Sequence, residues 1–172
     1  MKFNYKRVIV IGNNGSGKSY FSKKLAEATN LPLIHLDLLY WQNGGVHPSR
    51  EEWADVQRKL VAREQWILDG MHISTLEIRF KEADAIFFLD FDTSFCVESV
   101  KQREIERKLE NGERDSLHSQ TFDEFLKGVM DFNEKRKPRI LELKEKYPNK
   151  SFIVLNTRSR CQPQLNPIWS DK

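Results

Sequence analysis

The octet Gly12-Asn13-Asn14-Gly15-Ser16-Gly17-Lys18-Ser19, placed directly after Val8-Ile9-Val10-Ile11, constrains the fold of this 172-residue chain more than any other stretch. Four branched apolar residues in a row, with no polar alternation, suit a strand covered on both faces in a parallel sheet. The glycines end that strand. From Lys18 to Thr29, Phe21, Leu25 and Ala28 recur at helical spacing, and Asn30 with Pro32 closes the segment. The order is strand, glycine loop, helix.

The octet satisfies G-x-x-x-x-G-K-[ST], with Gly12, Gly17, Lys18 and Ser19 in the defining places and Gly15 as an extra glycine. Glycines let successive backbone N–H groups of Gly12, Asn13, Asn14, Gly15, Ser16 and Gly17 turn around an anion. Lys18 can reach β- and γ-phosphates, and the Ser19 hydroxyl can hold Mg²⁺ at the helix N-terminus. ATP with Mg²⁺ is therefore the expected ligand pair. No NKxD motif for guanine selection is present, and the length leaves little room for the extra elements of a motor ATPase.

The same alternation continues along the chain. Apolar runs at 31–37, 66–70, 85–91 and 151–156 read as four further strands. A helix is expected from Arg50, where Ser49 and Glu52 form a capping box, and long charged helical stretches at about 95–110 and 121–146. The fold class expected is α/β, a five-stranded parallel sheet flanked by helices, in which ligands gather at the carboxyl ends of the strands. One domain over residues 1–172 accommodates all of it.

Three strand ends carry acids: Asp37, Asp69 and Asp90. Asp69 precedes a glycine and is expected to hold Mg²⁺ with Ser19, with Asp90 ranked second for the metal. Asp37 is expected to orient or deprotonate the acceptor hydroxyl, against the alternative of a helix or turn cap. Phosphoryl transfer also needs cations around the transferred oxygens. Arg103, Arg107, Arg114, Arg136 and Arg139 flank the polar stretch between the long helices, as a lid would require, with solvated ion pairs to Glu104, Glu106 and Glu110 as the alternative for some of them. Tyr40, Trp41, His47 and Trp53 gather around the loop after the second strand, where a planar acceptor can stack or where they simply cover the core. His72 reads as a structural group.

Composition narrows the class. A net charge of +3 requires neither nucleic acid nor a membrane, and the four-residue N-terminal apolar run is far short of the ~20 residues that span a bilayer. Two cysteines, Cys96 and Cys161, without CxxC spacing or a Cys/His cluster fit a reducing compartment, so the expected location is the cytoplasm. The function expected is ATP-dependent transfer of the γ-phosphoryl group to a small-molecule acceptor, a nucleotide or related metabolite; the seven Lys or Arg against three Glu at residues 134–150 favour the alternative, a nucleotide-regulated DNA-binding or regulatory module without turnover. Only Tyr147 interrupts those charges with an aromatic ring, so no stacking platform for single strands is evident.

Taken together, GNNGSGKS, LPLIHLDLLYW, PSREEW, QWILDGMHISTLEIRF and ADAIFFLDF resemble the adenylate-kinase-related P-loop kinases of the DNA topology modulation protein group, over about residues 6–156. The resemblance implies a nucleoside-monophosphate-kinase-like fold with a substrate-binding segment at about 38–65, a lid at about 103–136, and ATP with Mg²⁺ as ligands. It also implies that Arg79, following Asp69-Gly70, takes the place of the substrate arginine, and that Arg136 and Arg139 match the arginines after the lid. Pro163 and Pro167 stand where such folds continue into a helix.

Overall fold

The computed structural model describes residues 3–41, 47–111 and 121–156. Arg114, the glycine pair at 44 and 45, and the segment holding Cys161, Pro163 and Pro167 lie outside them. Five strands, β1 (Arg7–Gly12), β2 (Leu33–His35), β3 (Trp66–Asp69), β4 (Ala85–Leu89) and β5 (Ser151–Leu155), form one parallel sheet in the order β2-β3-β1-β4-β5. Helices α1 (Lys18–Thr29), α2 (Leu36–Tyr40), α3 (Arg50–Val61), α4 (Leu76–Glu82), α5 (Thr93–Asn111), α6 (Phe122–Met130), α7 (Phe132–Lys135) and α8 (Lys137–Lys146) occupy the connections. The expected five-stranded α/β architecture is what forms.

The unalternating apolar runs have a simple cause. Ile9, Ile11, Leu68, Ile86 and Phe88 pack into one apolar layer, while Val8, Val10, Ile67, Ala85, Phe87 and Leu89 pack into another. Successive side chains of a strand point to opposite faces, so a strand covered twice needs apolar residues at every position. Removing one of these rings, such as fully buried Phe80 or Phe87, costs about 3–5 kcal/mol.

The chain visits the edge strand β2 before β3 returns beside β1, and then crosses to β4 on the far side. That reversal leaves a crevice beyond the carboxyl end of β1, where the glycine octet sits. Three elements depart from the sequence expectation. Strand β2 stops at His35 rather than running to residue 37, because Leu36, Leu39 and Tyr40 turn into α2 and pack on the core. The stretch 121–146 is three helices rather than one: Thr121 and Glu124 cap α6 reciprocally, and Pro138 enters the first turn of α8, where its missing N–H costs nothing. Helix α4, not expected, follows a single 3₁₀ turn at Ile73–Thr75. Among the described residues no helix is long and apolar enough to cross a membrane.

Candidate active site at the phosphate loop

The octet closes around its own backbone. Gly15 and Gly17 have φ of +83° and +85°, the left-handed region that branched residues avoid. At Gly15 a Cβ would lie 2.3 Å from the Cys96 carbonyl oxygen of α5, so the loop and that helix approach as closely as a hydrogen allows. At Gly17, the N-terminal cap of α1, nothing lies within 4 Å and no side chain caps the helix. The first N–H groups of α1 thus have no side-chain cap, the arrangement that favours an anion.

Lys18 is buried, and its Nζ donates to the Asn13 carbonyl at 2.9 Å. Burial pulls the ammonium below its ordinary value; Asp69 and then Asp37 counter it, and Arg103 adds to the depression. Two of the three acids expected at strand ends, Asp69 and Asp37, therefore act on the loop lysine. So does one arginine of the expected lid. Asn13 also anchors the loop outward, its side-chain amide donating to the Val129 carbonyl of α6 at 2.9 Å. Ser16 Oγ is buried without a hydrogen-bond partner among the described residues.

Asp69, 4% exposed at the end of β3, is held by one oxygen only. Its Oδ2 lies 2.8 Å from His35 Nδ1, while Oδ1 is buried with no partner. An orphaned carboxylate oxygen beside a phosphate loop suits an ion or its water shell. Among the described residues no group of three or more His, Cys, Asp or Glu could hold a metal alone. The one unpartnered oxygen of Asp69 suits Mg²⁺, which takes one or two protein carboxylates and fills its octahedron with phosphate oxygens and water. Ser19 is exposed in the first turn of α1. Asp90 takes another course, accepting from Lys137 Nζ through both oxygens at 2.8 Å.

Asp37 stands in the first turn of α2 rather than at a strand end, its side chain 65% exposed. His72 Nε2 lies 2.9 Å from Asp37 Oδ1. Desolvation pushes this carboxyl up, but His72, Lys18 and Arg79 outweigh it and hold it below the usual carboxylate range. His72 adopts φ of +29° and sits between Tyr40 and Trp53, with ring centroids 5.0 and 4.8 Å away. The aromatic group expected after β2 does assemble. Tyr40 meets Trp53 edge-on at 5.0 Å and stacks on His47 at 5.2 Å, and Trp41 contacts His47 at 4.2 Å.

The remaining arginines sort by partner. Arg79 is fully buried, donating to the carbonyls of Gly70 and Met71 at 2.7 Å each and of His72 at 3.4 Å. Burial pushes its guanidinium down to about 9, which leaves it protonated at neutral pH. Arg79 thus fastens the loop after β3. Arg139 pairs with Glu77 and Glu142, and Arg107 with Glu104. Arg103 is exposed, and Arg136 begins α8 near Gly128.

The basic stretch at 134–150 is largely spent on intramolecular contacts. Lys135 pairs with Asp131, Lys137 with Asp90 and Lys146 with Glu77, while Lys144 lies over the Phe152 ring. Sequence reasoning missed His35, whose only local signal is its place two residues before Asp37. It also missed Cys96, a buried free thiol pushed up to about 11 by desolvation, whose carbonyl abuts the loop.

No family model and no curated protein matches the chain. Solved structures do match it in fold. A shikimate kinase from Acinetobacter baumannii, solved with shikimate, superposes with TM-score 0.63 at 16% identity, covering 97% of this chain and 94% of that one. A shikimate kinase from Bacteroides thetaiotaomicron gives 0.61 at 15%, covering 96% and 98%. An unliganded sugar kinase from Janibacter gives 0.53 at 14%, covering 95% and 94%. Likeness at these identities is one of fold and does not reach the DNA topology modulation group; the architecture is that of P-loop nucleoside-monophosphate-kinase-like proteins.

Proposed function

We propose that this chain is an ATP-dependent phosphotransferase acting on a small-molecule acceptor. The observation that carries the reading is the uncapped N-terminus of α1 beside buried Lys18, with Asp69 and Asp37 both acting on that lysine. The kinase names of the fold neighbours support it.

Bound Mg·ATP supplies the γ-phosphoryl group, which passes to the acceptor oxygen as its bond to the β-phosphate bridging oxygen breaks and ADP leaves. The amides of Gly12, Asn13, Asn14, Gly15, Ser16 and Gly17 hold the phosphate oxygens, and Lys18 leaves the Asn13 carbonyl for them. Ser19 and Asp69 would hold the Mg²⁺, which would neutralise charge on the phosphates, and His35 fixes which Asp69 oxygen is free. Asp37, kept ionised, is a weak base; it positions the acceptor hydroxyl and receives its proton only late, which a loose transition state tolerates. The segment at about 38–65 faces the acceptor, and the lid at about 103–136 brings Arg103, Arg107 and Arg136 toward the transferred group. Arg139 joins them only by releasing Glu77 and Glu142. Arg79 acts through the loop it fastens.

The test is transfer of labelled γ-phosphate from ATP to a screened set of acceptors by wild type and Lys18→Ala. Transfer by wild type that the variant loses is expected; equal turnover by both overturns the reading.

A further inference from the structure

We infer that His72 is a positioning residue of the transfer site, whose imidazole sets the direction of the Asp37 carboxylate and so the place where an acceptor hydroxyl is held. This rests on the phosphotransferase reading and adds to it the residue that aims its acceptor-side carboxylate.

His72 stands in a conformation that glycine usually fills, with φ of +29° and ψ of 65°. Such strain persists only where the surrounding structure over-determines it, and it gathers at functional sites. Several contacts hold this backbone. The Arg79 guanidinium donates to the carbonyls of Gly70, Met71 and His72, and the Thr75 N–H and hydroxyl both donate to the His72 carbonyl, at 3.1 and 3.3 Å. At Gly70 a Cβ would lie 3.0 Å from Leu36 Cβ, so the loop runs against the first turn of α2, one residue before Asp37.

The ring is fixed as well. Trp53 of α3 and Tyr40 of α2 approach it at 4.8 and 5.0 Å, and they meet one another edge-on at 5.0 Å. Asp37 and Tyr40 are i and i+3 on α2, so one side of that helix meets the imidazole with a carboxylate and a ring. His72 Nε2 is thereby set 2.9 Å from Asp37 Oδ1. An ionised carboxylate only accepts, so this nitrogen carries the proton. The imidazole is 13% exposed and the carboxylate 65%, so the buried partner directs the exposed one. In the free protein the pair is close without full hydrogen-bond alignment, as catalytic contacts often are before a substrate tightens them. Desolvation raises the Asp37 carboxyl, and His72 is the largest of the influences that bring it below its usual range. An exposed aspartate alone turns among its rotamers; holding one oxygen presents the other to the acceptor in one direction, the gain that orientation brings to transfer.

The experiment follows Mg·ATP-dependent transfer to shikimate, glucose, adenosine, AMP and water, the last read as released phosphate. Wild type is compared with His72→Phe, His72→Gln, Asp37→Asn and the Asp37→Asn/His72→Phe double variant. Phe keeps a ring between Tyr40 and Trp53 and removes the nitrogen, whereas Gln returns an N–H near the place of Nε2. His72→Phe is expected to lose roughly ten- to a hundredfold in kcat, with Mg·ATP affinity by calorimetry within about twofold of wild type. His72→Gln recovers most of that loss, and in the Asp37→Asn background the Phe substitution has no further effect. Wild-type kcat in His72→Phe, or the same loss with and without the Asp37 carboxylate, overturns the inference. If the substitutions at 72 prevent folding, the imidazole nitrogens decide it: the His72 Nε2 resonance of the wild-type ring is expected to move on Asp37→Asn, and an unmoved one contradicts the pairing. Mg·ATP that gives neither heat nor turnover with wild type defeats the phosphotransferase reading and this role together, whereas turnover that ignores residue 72 defeats the role alone.

Discussion

Lys18 is folded back on its own loop, its Nζ donating at 2.9 Å to the carbonyl of Asn13. A hydrogen bond from an ammonium contributes about 1.5–3 kcal/mol, and burial of the charge works against it. The lysine is therefore held ready for phosphate at little gain to the free protein. Lys18→Met, which keeps the apolar stem and removes the charge, is expected to unfold at the same denaturant midpoint as wild type or a higher one while losing Mg·ATP affinity. A variant that is strongly destabilised and still binds nucleotide contradicts this division of roles.

Gly15 and Gly17 share a left-handed φ but differ in what surrounds them. Gly17→Ala meets no neighbour and carries only the backbone strain of about 1–2 kcal/mol. Gly15→Ala carries that strain and also drives its methyl into the Cys96 carbonyl, a backbone atom that yields only if α5 moves. Denaturant unfolding of the two variants measures the difference. Equal losses would mean that α5 does not pack on the loop as described.

Arg79 gives a different kind of prediction, because its partners are backbone atoms of one loop. Arg79→Met leaves the carbonyls of Gly70, Met71 and His72 without their donor, at about 1–3 kcal/mol for each that water does not reach. Unfolding free energy should fall by roughly 3 kcal/mol, with nucleotide affinity falling less than stability. Unchanged stability with a raised acceptor KM would instead return Arg79 to the substrate contact that its position after Asp69-Gly70 implies.

The pH profile tests Asp37. Its folded pKa is lowered, so the carboxylate is present throughout the range above its ordinary value, and whatever it contributes is lost only as pH falls through the depressed value. An acid limb of kcat/KM at about pH 5–7 therefore belongs to another group. Asp37→Asn should lower the plateau and leave the limb's midpoint in place; a midpoint that disappears with the substitution contradicts the assignment.

How far the sequence reveals this site depends on the range of the contacts that make it. The strand, glycine loop and helix at 8–29 were legible because a run of four branched residues and a glycine fingerprint are local signals. The end of β2 was not, since LPLIHLDLL is apolar enough for either a strand or a buried helix turn, and packing of Leu36, Leu39 and Tyr40 on the core decides it. The long stretch at 121–146 reads as unbroken helix by propensity, yet Pro138 already marks where α8 starts. The pairs that shape the site were beyond reach: His35 meets Asp69 across 34 residues, and Asn13 meets Val129 across 116. The pairing of β2 with β3 brings the first pair together, and the packing of α6 against the loop brings the second. Arg79 is the reverse case: motif position suggests a ligand contact, whereas its fully buried guanidinium donates to three backbone carbonyls of the loop after β3.

The central claim is that the uncapped start of α1 and Lys18 receive a triphosphate whose terminal group is then passed on. Incubation of wild type with γ-labelled ATP, Mg²⁺ and the screened set of acceptors measures it directly. Label is expected in an acceptor product with wild type and not with Lys18→Ala; label that stays in ATP in both, or that leaves ATP at the same rate in both, contradicts it.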